Sequence, residues 1–80
     1  MLKFKKSNII EIQYEIKNYR TMQEQMDENT GNYVGLYAND TDLCFVVVSS
    51  KGLMHEMGSS HDLTEAKDAY LQKYQEIFSI

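Results

Sequence analysis

The sequence predicts a small α+β domain of order α-β-β-β-α, a three-stranded antiparallel sheet packed against two helices. Three observations predict it. Tyr33 to Val48 reads as two apolar strands joined by a polar turn. Asn8 and Asp62 each stand three residues before a Glu, the spacing of a helix-capping box. The eighty residues offer only one strongly apolar stretch, so they make one domain, 1–80, with a marginal core.

The hairpin is the anchor of this reading. Val34, Leu36 and Ala38 alternate with Tyr33, Gly35 and Tyr37. Leu43, Phe45 and Val47 alternate with Cys44, Val46 and Val48. Both sets of the second strand are apolar, which predicts a central strand covered on both sides and a buried Phe45. Asn39-Asp40-Thr41 is too short a connection for anything but antiparallel neighbours.

Residues 1–7 are a basic lead-in, with Lys3, Lys5 and Lys6 around Phe4, read as a short edge strand or a loose arm. Residues 8–28 carry two periods. Ile10, Ile12, Tyr14 and Ile16 alternate as in a strand, while Ile9, Ile12, Ile16, Tyr19, Met22 and Met26 share one helical face. The Asn8–Glu11 cap and the helix formers of 21–28 favour one long helix. Gly31 then suits the left-handed position after it. Ser49 to Gly52 reads as a second turn, and Leu53, His55 and Met57 as a third strand ending before Gly58. From Asp62 the stripe Leu63, Ala66, Tyr70, Tyr74 and Ile77 predicts a helix ending near Phe78. Both helices are expected on one face of the sheet.

The net charge is −4. Residues 1–31 balance five positive against five negative side chains, and residues 32–80 hold three against seven. That acidity argues against direct nucleic-acid binding, which needs cations to neutralise phosphate. It suits a partner with a basic surface. The longest apolar run, Leu43 to Val48, is far short of a membrane span. Cys44 is the only cysteine, and no signal-peptide pattern opens the chain, so a reducing, cytoplasmic setting is expected.

No motif announces catalysis, a metal or a cofactor. Ser59, Ser60, His61 and Asp62 hold the letters of a hydrolase triad, but consecutive residues do not converge on one atom, and a helix-capping loop explains them. His55, Glu56, His61, Asp62 and Cys44 lack any metal-ligand spacing. Cys44 sits among apolar neighbours that predict an inert thiol. The four glycines form no phosphate loop.

What remains is a binding surface. Tyr37 with Asp40 and Asp42 at the hairpin tip would combine an aromatic anchor with an acidic rim. Tyr14 and Tyr19 on the first helix are the next candidates. The leading expectation is a non-enzymatic intracellular module that binds another protein. A homo-oligomer is the first alternative, since apolar residues 9, 12, 16, 19 and 26 space like a heptad seam. A small metal-dependent enzyme using His55 and His61 is the second. In size, acidity and helix-hairpin-helix layout the chain is similar to small phage-encoded inhibitors of bacterial defence, including some anti-CRISPR proteins. Its Asn, Lys, Tyr and Ile content looks like that of an AT-rich genome or its phages. The likeness implies a protein partner in a bacterial cell and carries over no residue.

Overall fold

The computed structural model describes residues 2–52 and 54–78. It begins with strand β1 (Lys5–Lys6) and helix α1 (Ile9–Ile16). Strands β2 (Arg20–Asp27), β3 (Asn32–Ala38), β4 (Cys44–Ser50) and β5 (Met54–Ser60) follow, and helix α2 (Leu63–Phe78) closes the chain. The α+β class, the presence of two helices and the antiparallel sheet are as the sequence predicts, but the first helix is far shorter than expected. The sheet, however, has five antiparallel strands rather than three, in spatial order β1-β5-β4-β3-β2.

Of the two additional strands, β1 is the short edge strand that residues 1–7 allowed for, and β2 comes from the long helix expected over 8–28. Asn8 does cap a helix, its Oδ1 accepting from the Glu11 amide at 2.8 Å. That helix ends at Ile16, and Tyr19 turns onto Phe45, ring centroids 5.0 Å apart and edge to face. Arg20–Asp27 then pairs along β3, with an irregularity between Thr21 and Gln23. Without β2, the row of β3 amides and carbonyls on that side would lack ladder partners. Satisfying them outweighs the weak helical preference of a polar segment. Gly31 keeps its left-handed conformation, φ 78°, but as part of the β2–β3 loop, where its amide donates to the Asp27 carbonyl at 2.8 Å.

The central hairpin stands as predicted, with Tyr37 opposite Phe45 and Val34 opposite Val48. The tip is held by one side chain: Asn39 Oδ1 accepts from the amides of Thr41 and Leu43 at 3.0 Å each. Ser49 and Ser50, expected in the next turn, extend β4, and the turn falls on Lys51 and Gly52, both at positive φ. Leu53 lies outside the described residues. The third predicted strand also runs further, through Gly58 to Ser60. A β-carbon at Gly58 would meet the Lys3 carbonyl oxygen at 2.8 Å, so this glycine admits the N-terminal segment to the sheet instead of ending the strand.

The helices sit on opposite faces, not on one. Val34, Leu36, Ala38, Cys44, Val46 and Val48 bury against Ala66 and Tyr70 of α2, with Leu2. Tyr37, Phe45, Val47 and Met57 bury against Ile12 of α1. The physical reason lies in β4, which is apolar on both faces and needs a cover on each. Asp62 caps α2, accepting at Oδ1 from the Thr64 amide at 2.9 Å. Among the described residues no helix is long and apolar enough to cross a membrane.

Candidate functional site

Helix α1 is held by little. Ile12 is its one buried residue, 1% exposed, and Ile16 packs beside it. The outward side presents Ile10 at 75% and Tyr14 at 72% exposure. Four residues apart, they stack one turn above the other. Nothing in α1's own folding requires two large apolar side chains in water.

Beside this pair runs a trough. Shallow cavities follow one another between α1 and the β1–β5 edge, sharing Lys5, Glu15 and Met57 and then Ser7 and Glu11. Met57 and Phe45 form an apolar floor. Lys3, Lys5 and Lys6 stand along the sheet side. Glu11, Glu15, Ile10 and Tyr14 stand along the helix side. Lys17 Nζ lies 5.2 Å from the centre of the Tyr14 ring, a cation already on that aromatic face.

The tyrosines predicted as binding residues fall in different environments. Tyr14 is exposed on the trough rim. Tyr19 is half-buried against Phe45. Tyr37 is only 8% exposed, so the hairpin tip carries no aromatic anchor. Asp40 and Asp42 are exposed there, and Asp42 takes φ 62° as a turn residue.

Tyr37 belongs instead to a hydroxyl chain across the α1 side of β3. Tyr33 Oη donates to Glu24 Oε2 at 2.8 Å, and the Tyr33 and Tyr37 hydroxyls bond to each other. A hydroxyl has one proton, and Tyr33 uses its own on the carboxylate, so Tyr37 is the donor to Tyr33. Burial, then the bonds to Tyr37 and Glu24, push the Tyr33 hydroxyl far above the usual tyrosine range. Burial also raises Tyr37. Both phenols therefore stay protonated and tie the outer strand β2 to β3.

The residues weighed for chemistry are dispersed. His55 Nδ1 lies 2.7 Å from Ser49 Oγ, directly opposite it across β4 and β5. No sequence motif marks this Ser–His pair, because the strand register creates it. The Ser49 hydroxyl is buried, which makes the pair a cross-strand hydrogen bond rather than an accessible nucleophile. His61 lines a separate cavity with Arg20, Met22, Asp42 and Cys44. Among the described residues no three His, Cys, Asp or Glu side chains converge as a metal site. Cys44 is buried, and burial followed by the Asp42 and Asp62 charges pushes its thiol up, away from the reactive thiolate.

Comparison with protein-family models finds no match, and comparison with curated proteins and with solved structures finds no significant match.

Proposed function

We propose that this chain is a non-enzymatic docking module that takes a segment of a partner protein along the α1 trough. The observation that carries the reading is the exposed Ile10–Tyr14 pair above a Met57 floor, on a helix that Ile12 already anchors. An apolar partner side chain would seat between Ile10 and Tyr14, where a ring desolvates without losing much conformational freedom. Lysines or arginines flanking it on the helix side would meet Glu11 and Glu15, and carboxylates on the sheet side would meet Lys3, Lys5 and Lys6, so the two walls fix the direction of the segment. The setting that fits the chain's size and acidity is inhibition of a bacterial defence or nucleic-acid-handling protein in the cytoplasm.

The experiment is comparative capture. Immobilised parent protein and an Ile10→Ser, Tyr14→Ala double variant are exposed to the same bacterial lysate, after melting curves confirm equal folding. A partner retained by the parent and lost from the variant supports the reading. Identical retention by both overturns it.

A second reading rests on β2, an eight-residue edge strand of which every residue but Asp27 is exposed. Such an edge offers free ladder positions to a second copy. This basis replaces the heptad seam, which cannot exist once residues 20–27 are a strand. A solution mass that doubles with concentration, and stays single in a Gln25→Pro variant, would favour it.

A further inference from the structure

We infer that a second groove, on the α2 side of the N-terminal segment, is a docking site for a cationic, partly apolar segment of a partner protein. Leu2, Phe4 and Ala69 make its floor. Residues 2–4 form one wall and α2 the other, so two elements distant in sequence build it. Phe4 also lines the α1 trough, and the N-terminal segment is the common wall between them.

The occupant follows from charge. Glu65, Asp68, Gln72 and Glu76 run down the groove side of α2 at spacings of three and four, one polar row on one helical face. The row is about 16 Å long at 1.5 Å per residue, the reach of about five residues of extended chain. The cation at the rim is already committed. Lys73 Nζ lies 3.6 Å from Glu56 and 3.5 Å from Glu76, and 4.6 Å from the centre of the Phe4 ring. Asp68 is exposed at the middle of the row. An entering arginine or lysine would lay its aliphatic stem over Leu2 and Ala69, beside the Phe4 ring that Lys73 covers, and bring its head group to Asp68. An anionic segment, or nucleic acid, would meet like charge at Glu65 and Asp68, while Glu76 shares its charge with Lys73.

The test uses a fluorescein-labelled seven-residue peptide alternating arginine and leucine, titrated with the full chain at low salt and read by anisotropy. Asp68→Asn with Glu76→Gln removes two groove charges. Asp40→Asn with Asp42→Asn removes the same two charges from the hairpin tip, whose residues do not line the groove, and controls for bulk acidity. The groove variant should bind about fivefold more weakly, the tip variant within about twofold of the parent, and added salt should narrow the difference. A peptide alternating glutamate and leucine should not bind. Equal weakening by both double variants would show bulk attraction only and overturn the site, as would an absence of binding to the parent or equal binding of the glutamate peptide. Melting curves on each variant separate lost docking from lost folding.

Discussion

Gly35 is glycine because two rings lie across it. A β-carbon there would stand 2.8 Å from Tyr37 Cε1 and would also collide with the Tyr33 hydroxyl. Its backbone is ordinary strand, so the constraint is space rather than conformation. Gly35→Ala should therefore destabilise by about 1–3 kcal/mol, the usual effect of overpacking a fitted site. It should also part the two hydroxyls, which shows as a lowered tyrosine titration midpoint in ultraviolet absorbance. A variant as stable as the parent, with unchanged titration, would mean the rings do not rest on this position. Sequence reading could place Tyr33, Gly35 and Tyr37 on one strand face by alternation. It could not show that the rings fold inward over the glycine, because that depends on Glu24, an acceptor on a strand the pattern disguised as helix.

At the scale of elements, β2 is the least secured. It pairs on one side only, its side chains are nearly all in water, and the Tyr33–Glu24 bond is its one side-chain tie to β3 among those described. Amide exchange should accordingly be faster through Arg20–Asp27 than through Cys44–Ser50, which is buried on both faces between two neighbours. Equal protection of the two strands in dilute solution would point to β2 being covered by another copy. The opposite edge is managed differently. There β1 is two lysines long, and short charged edges resist strand addition. Helix α1 shows a related economy: eight residues held chiefly by Ile12, leaving Ile10 and Tyr14 outward.

Across the whole molecule the raised tyrosines and the raised thiol make one forecast about pH. Tyr33, Tyr37, Tyr70 and Cys44 all hold their protons more tightly when folded, chiefly through burial. Unfolded, they would ionise near about 10 for tyrosine and about 8.5 for cysteine. Above those values the unfolded chain binds fewer protons than the native one, so stability falls as pH rises. Below about pH 8 these groups are protonated in both states, and their contribution is constant. Urea midpoints should be level near neutrality and decline from about pH 9 upward, with a shallower decline for Tyr33→Phe. A midpoint unchanged to about pH 10.5 would show that these groups are not buried as described.

The sequence by itself determined the local and strongly patterned parts. Alternation marked the β3–β4 hairpin and the burial of Phe45, the Asn8 and Asp62 caps marked both helix starts, and Gly31 marked a left-handed position. Each depends on residues close in the chain. Only the tertiary structure decided what depends on partners far away. Arg20–Asp27 became a strand because β3 had an open side, and Gly58 stayed within β5 because Leu2 lies against it. The helices took opposite faces because β4 is apolar on both. The trough and the acidic groove have the same origin. Their walls come from residues 3–15 and 45–59 in one, and from residues 2–4 and 62–76 in the other, and no pattern within either stretch announces a surface that exists only between them.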